Sequence, residues 1–343
     1  MQKRMFILPM LLASTQVMAD GPTYPDHYYG LYMRSDLEIN SSDGDFNNEG
    51  DSTRIKSKYL RVNFRGNLSE DTSYRVRFRL DKTLDSSTQI DGTGVGVNYA
   101  YIDHKLTPSM KLRFGKQYFA GVCGREGDYS GADVYKYSLT CDNNPFYREG
   151  IALKPKFGDQ NFVFSLVNSG TEKNQKSLGM GATWYGNLMD GQVKPIVSYV
   201  SMPSEDQVGG LQGATNTFIA AGARYTEKGS YYVELTAMSA NFESRTGGAD
   251  RDLNSTVLDF RMYADGGKIQ PIAKYEMSTD KDVLDRTALT LGVEYYPNHG
   301  KKGVDWRAHA VYVTSTDNFD APGVDDVTTS AILLGYSLAF TGS

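Results

Sequence analysis

The sequence predicts an all-β fold, a sixteen-stranded antiparallel transmembrane β-barrel, and three observations carry that expectation. Apolar and polar side chains alternate with a period of two through sixteen segments, which puts one set on each face of a strand. The connections between segments alternate long and short, as in a barrel with tight turns at one rim and long loops at the other. The hairpin over residues 59–81 has one oily face and one cationic face. A soluble sheet would mix its charges, because like charges on paired strands repel; lipid outside and water inside suit this one.

Composition narrows the alternatives. The chain has 343 residues, 40% hydrophobic, and no apolar run approaches the length of a membrane helix. Helical spanning is excluded, and strand spanning, whose signal is weak per segment, is not. Tyr is abundant at 24, and 35 Gly far outnumber 11 Pro, as many twisted strands and turns require. Residues 1–19 read as a secretory signal peptide: Lys3 and Arg4, an apolar core over 5–12, then Val17-Met18-Ala19 as a cleavage site. The formal charge of −5 becomes −7 without Lys3 and Arg4, which argues against a nucleic-acid partner. Cys123 and Cys141 are the two cysteines; export permits a disulfide and the even count favours one between them. The barrel is expected over 20–340, with 341–343 a tail of open origin.

The segments follow in order. The first, 27–40, sets Tyr29, Leu31, Met33, Leu37 and Ile39 against Tyr28, Tyr32, Arg34, Asp36 and Glu38. The second and third form the arginine hairpin. Leu60, Val62 and Phe64 alternate with Arg61, Asn63 and Arg65; Tyr74, Val76, Phe78 and Leu80 alternate with Arg75, Arg77 and Arg79. The fourth, 95–105, has mixed phase, Val95, Val97 and Tyr99 against Ala100 and Ile102, which a bulge would reconcile. The fifth, 110–115, sets Met110, Leu112 and Phe114 against Lys111 and Arg113. The sixth, 148–156, contains Pro155, a residue usually confined to sheet edges. The remaining ten, from 161 to 340, put residues such as Phe164, Trp184, Tyr199, Ala221, Leu235, Leu258, Tyr275, Leu291, Trp306 and Tyr336 on the outer face. Long connections fall at 41–53, 82–94, 116–146, 201–216, 241–252 and 315–327, and short ones at 106–109, 158–160, 227–230 and 265–267.

Residues 59–66 with 74–80, the run Asn98-Tyr99-Ala100-Tyr101-Ile102-Asp103, the run Leu112-Arg113-Phe114-Gly115-Lys116-Gln117 and the closing Gly335-Tyr336-Ser337-Leu338-Ala339-Phe340 resemble Gram-negative outer-membrane porins. Within that group the chain is most similar to the phosphate-selective porin O and P type. The resemblance implies a water-filled diffusion channel in the outer membrane of a Gram-negative bacterium, short periplasmic turns, long extracellular loops, a homotrimer, and a third loop folded into the pore. That loop would be 116–146, whose glycines permit a tight path and which Cys123 and Cys141 would clip.

Seven cations are then expected to line the lumen: Arg61, Arg65, Arg75, Arg77, Arg79, Lys111 and Arg113. Facing them, the constriction loop carries Glu126, Asp128, Asp133 and Asp142, so the two sets would create a transverse field. The strand arginines, confined in the lumen while most acids lie screened in loops, would lean the pore towards anions. Phosphate is a further step that the resemblance implies. The alternative for the arginines is local pairing with Glu70, Asp71, Asp81 and Asp103. Two other functions compete with the channel. A hydrolase would need a nucleophile, a base and an orienting group together, yet there are four histidines and no G-x-S-x-G or H-E-x-x-H spacing. A receptor or adhesin barrel with a blocked lumen fits the long loops and fits the ionised lumen poorly. Neither a cofactor nor a metal site is expected, and the partners are lipid, small ions and further copies of the chain.

Overall fold

The computed structural model describes residues 27–43, 51–82, 94–119, 121–129, 133–143, 147–168, 178–203, 215–243, 250–298, 304–320 and 324–342. The expected signal peptide lies outside these residues. The described residues form sixteen strands: β1 (Tyr28–Ser41), β2 (Ser52–Asn67), β3 (Thr72–Lys82), β4 (Gly94–Thr107), β5 (Met110–Tyr118), β6 (Tyr147–Phe157), β7 (Gln160–Asn168), β8 (Leu178–Tyr185), β9 (Val193–Pro203), β10 (Thr215–Glu227), β11 (Tyr231–Phe242), β12 (Arg251–Met262), β13 (Ile269–Asp280), β14 (Leu284–Tyr295), β15 (Val304–Phe319) and β16 (Val327–Gly342). Each pairs antiparallel with its sequence neighbours, and β1 pairs with β16, so the sheet closes without an edge.

Pro155 stands opposite Met110 of β5, and the β6–β7 ladder passes from Leu153–Phe164 to Lys156–Asn161 without it. The missing donor therefore falls on one side of one strand. The strand that was expected to end at Phe340 continues, with Thr341 and Gly342 opposite Gly30 and Tyr29.

The mixed phase of the fourth segment resolves as a bulge. Arg77 stands opposite Tyr99, but Phe78 stands opposite Val97, so Asn98 is the extra residue. Val97 and Ile102 face outward while Tyr99 and Tyr101, opposite Arg77 and Arg75, face the lumen. A second bulge, at Lys58, separates the Arg34–Tyr59 and Ser35–Ser57 pairs.

The tight connections share one rim. Gly158 and Gly229 turn there with φ of 58° and 77°, and the β12–β13 turn strings together Asp265, Gly266 and Gly267, all with positive φ. Outward aromatics gather near this rim in touching pairs, Tyr29–Phe340, Phe157–Phe162, Tyr225–Tyr231 and Tyr231–Phe260, as an interfacial belt does. One connection at the other rim departs from the long pattern: β13 and β14 are joined by three residues, 281–283.

Candidate functional site

The connection between β5 and β6 folds into the lumen. Its described part contains a single-turn 3-10 segment (Glu126–Asp128), a short helix α1 (Leu139–Asp142) capped by the Ser138 hydroxyl, and the disulfide Cys123–Cys141. It docks on an apolar strip of the inner wall. Phe119, Val122, Cys123, Leu139 and Cys141 are buried against Val167, Val200, Met202, Phe218, Ala220, Met238, Ala240, Leu253, Val257 and Leu284. Gly121 (φ +85°) and Gly124 (φ +53°) allow the approach: a Cβ at either would come within 2.4 Å of Ser198 or Thr236.

Polar contacts pin the loop to the same arc. Arg125 donates to the carbonyls of Lys194 and Pro195 at 2.9 and 2.7 Å and pairs with Asp128 at 2.6 Å. Glu126 accepts from the Ser138 amide and hydroxyl and is ion-paired with Lys274. Glu276 accepts from the Leu139 amide at 2.8 Å. Asp133 pairs with Arg307 at 2.5 Å, and the Tyr135 hydroxyl donates to Glu294 at 2.7 Å. A cavity of about 30 Å³ lies between loop and wall, lined by Glu126, Tyr135, Glu234, Asp259 and Lys274.

These contacts change the expected geometry. The carboxylates of Glu126 and Asp133 are spent on the wall cations Lys274 and Arg307, and that of Asp128 on Arg125 of the loop itself, rather than facing the cationic ladder across the pore. Burial together with Glu126 and Glu276 pushes the Asp142 carboxyl up to about 6. The reason is desolvation: an acid in a tightly packed loop needs a partner within reach, and the wall supplies cations there. Beside the arginines stand tyrosines at the ends of β5 and β6, with Tyr147 hydrogen-bonded to Arg77 and Tyr118 beside Tyr147.

The cationic wall occupies the arc β2–β6. Arg65 and Arg75 stand directly opposite each other, as do Arg61 and Arg79. Like charges so placed repel, and aromatic faces answer that repulsion. Guanidinium carbons lie over rings at 3.8 Å for Arg61 on Tyr59, 5.3 Å for Arg65 on Tyr28, and 4.5 and 4.0 Å for Arg75 and Arg77 on Tyr99. Arg75 also donates to Asn63 at 2.8 Å. Among the described residues none of Arg61, Arg65, Arg75 and Arg77 is ion-paired. The local pairing considered above is seen at Arg113, which is bidentate to Asp103 at 2.7 Å for both bonds while stacking on Tyr101 at 3.6 Å. Lys111 stands opposite Lys154.

Sequence reasoning missed part of this wall. Lys56 and Arg54 stand opposite Asp36 and Glu38 on the lumen face, and Arg54 and Lys58 pair with Glu38. Their alternation breaks at the Lys58 bulge, so they do not read as part of the ladder. Arg148 and Lys154 on β6 stand opposite Gln117 and Lys111; the signal was the alternation of Ala152, Lys154 and Lys156 beside Pro155. The tyrosines Tyr59, Tyr99 and Tyr147 carry no charge and so announced nothing. His309 faces the lumen, but its ring is engaged by Asp36 at 2.9 Å and packs on Tyr135, which makes it part of the loop's anchorage.

The comparisons with known proteins agree with this architecture. The family profile described as phosphate-selective porin O and P matches residues 29–244. Among solved structures, an anion-selective porin from Comamonas acidovorans is similar with a TM-score of 0.69 at 15% identity, covering 92% of this chain and 99% of that one. The outer membrane channel DcaP of Acinetobacter baumannii has a TM-score of 0.64 at 10% identity, over 91% and 97% of the chains. In-vitro folded OmpT of Vibrio cholerae in its trimer form has 0.62 at 17%, over 92% and 98%. No curated protein matches the sequence.

Proposed function

The chain belongs to the phosphate-selective porin O and P family, and from that premise we propose that small hydrophilic solutes cross it along the arginine–tyrosine wall, with anions preferred. It is an outer-membrane diffusion channel of a Gram-negative bacterium, with the short-turn rim facing the periplasm. The observation that carries the anion preference is the partnering of the ladder. Arg61, Arg65, Arg75 and Arg77 are held by rings and amides, which fix a guanidinium without cancelling its charge. The low-dielectric wall focuses that charge into the lumen, and the guanidinium fork suits oxyanions. Of the seven cations named from the sequence, Arg61, Arg65, Arg75, Arg77, Arg79 and Lys111 are the proposed selectivity residues. They are joined by Lys154 and, towards the outer mouth, by Lys56, while Arg113 is neutralised by Asp103 and Arg54 and Lys58 share Glu38. A preference for phosphate is supported by the family description alone.

The test is the reversal potential under a tenfold potassium chloride gradient in a planar bilayer, for the parent and for Arg75→Glu/Arg77→Glu/Arg79→Glu. The parent should favour chloride and the triple variant should lose or invert that preference. A cation-selective parent, or an unchanged triple variant, would sink the proposal.

We also assign the chain to a homotrimer. Small residues on outer faces, Ala221 with Ala223 and Ala308 with Ala310, allow close contact between barrels, and the Vibrio cholerae neighbour was solved as a trimer. Light scattering corrected for detergent should give three subunits per particle; a particle of one subunit's mass would refute it.

A further inference from the structure

The outer wall carries a groove that conduction does not use. It lies across β4–β8, holds about 750 Å³, and is walled by Val97, Phe114, Ile151, Leu166 and Leu178, with Ala100 on its floor. All five wall residues are exposed, Phe114 by 67%. A volume of this order suits a ligand rather than a single water. The bulge at Asn98 helps to open it, because Val97 and Ala100 both face outward, three residues apart instead of two. Beside Ala100, Gly115 and Gly150 stand opposite each other and add backbone without side chains. Gly115 has a φ of +118°, and a Cβ there would come within 2.2 Å of the Ala100 carbonyl oxygen, so the position needs glycine.

One end of the groove is charged. Lys116 and Glu149 line it, directly opposite each other on β5 and β6, and among the described residues neither is ion-paired. Their height is informative. Glu149 is eight residues above Phe157 of the interfacial belt. That is about 26 Å along the strand, and about 20 Å along the axis of a barrel whose strands tilt by about 40°. The apolar band of such barrels is about 25 Å tall, so the pair stands at the head groups of the outer leaflet. On β11, β12, β14 and β15 the outward residues above the band are neutral, Ser239, Thr256, Thr287 and Thr314. Hydroxyls therefore suffice at this level elsewhere, and the groove carries charge instead.

An acyl chain fits the apolar walls, and the charged pair selects its head group. Lys116 offers a point charge to a phosphate. Glu149 would repel a bare phosphate held next to it, but it accepts a hydrogen bond from a hydroxyl or an ammonium. The head group must then combine a phosphate with a donor, as a phosphorylated sugar does. The leaflet at this height is the one facing the cell exterior, where phosphorylated glycolipid prevails over phospholipid. We propose that the groove is a lipid site that takes one acyl chain of an outer-leaflet glycolipid, with its phosphate on Lys116 and a sugar hydroxyl on Glu149. The site is independent of the ion preference of the pore, so either reading can fail alone.

The experiment is native mass spectrometry of the assembled protein titrated with diphosphoryl lipid A, for the parent and for Lys116→Gln, Phe114→Ala and Ala100→Trp. The parent should hold one lipid per subunit. Lys116→Gln and Phe114→Ala should each raise the dissociation constant at least fivefold. Ala100→Trp fills the floor and should retain no lipid at the concentration that saturates the parent. Phosphatidylethanolamine with chains of the same length should bind the parent at least fivefold more weakly than lipid A. Single-channel conductance should be the same in all four proteins, which shows that the variants are assembled. Should Ala100→Trp fail to assemble, Lys116→Gln and Phe114→Ala carry the test. Equal retention by parent and variants would mean an unspecific lipid coat, and equal affinity for phosphatidylethanolamine would mean that the sugar is not read. A subunit-to-subunit cross-link from a photoreactive group on Leu178→Cys would mean that a second copy of the chain fills the groove. Each of these results overturns the proposal.

Discussion

Arg77 and Arg113 carry the same charge on the same wall, but their neighbours differ. Arg113 is held by both oxygens of Asp103, so the pair presents little net charge to the pore. Arg77 is held by Tyr99 and Tyr147 and, though only 9% exposed, has no carboxylate against it among the described residues. Neutralising the pair with Arg113→Gln/Asp103→Asn is therefore expected to leave the reversal potential within a few millivolts of the parent. Arg77→Gln and Arg61→Gln should each move it measurably towards zero. Equal shifts from all three would mean that position, not partnering, decides the contribution. The cations of this wall were legible in the sequence because an arginine on a barrel strand has to face water. Their stacking partners were not, because a tyrosine on the inner face looks no different from one in an aromatic belt until the register is known.

The constriction loop shows the same division at the scale of an element. Its length, glycines and two cysteines marked it in the sequence. The direction of its carboxylates was misjudged, because nothing in 116–146 says which arc of the wall receives it. A clue did exist on other strands. Val167, Val200, Met202, Phe218, Met238 and Leu253 are apolar at inward positions, which a water-filled lumen does not explain and a docked loop does. Because this docking is extensive, the disulfide is a clip and not the sole anchor. Closing an 18-residue separation contributes on the order of 3 kcal/mol. Cys123→Ser/Cys141→Ser is thus expected to increase open-channel current noise while amide exchange in the strands stays unchanged; loss of the assembled barrel would show that the bond does more. Acidity should act on the same loop through Asp142. Burial, with Glu126 and Glu276, raises its carboxyl from an ordinary 3.8 to about 6, against the pull of Lys274 and Arg286. A group that holds its proton more tightly in the docked state favours docking at low pH. That gain is complete below about 4 and is lost as pH rises through about 6. Current noise should therefore be lower at pH 5 than at pH 7.5, and Asp142→Asn should remove the difference. Noise that falls with rising pH would contradict the assignment.

For the whole molecule the barrel was legible and its internal asymmetry was not. The period of two and the even strand number fix the closed sheet, since one missed phase is corrected by its neighbours. Which arc carries free charge depends on contacts between residues about 100 positions apart, such as Arg34 with Val134. The result is a chain of net charge −5 whose proposed pathway is cationic. Exposed acidic residues at the outer rim, Asp320, Asp325 and Asp326, act on ions through water, whereas the ladder acts at contact. Salt separates the two. The screening length is about 30 Å at 0.01 M and about 8 Å at 0.15 M, so the rim is felt inside the pore at the lower concentration and largely silenced at the higher one. The anion-to-cation permeability ratio is consequently expected to hold or rise between these concentrations, measured as the reversal potential at a fixed concentration ratio. A pore governed by one uniform positive field would lose selectivity steadily over the same range. A steady decline would mean that the rim carboxylates do not oppose the wall. Neutralising Asp320, Asp325 and Asp326 to Asn should raise the ratio at 0.01 M and leave it unchanged at 0.15 M, because only the long-range part of the field has been removed.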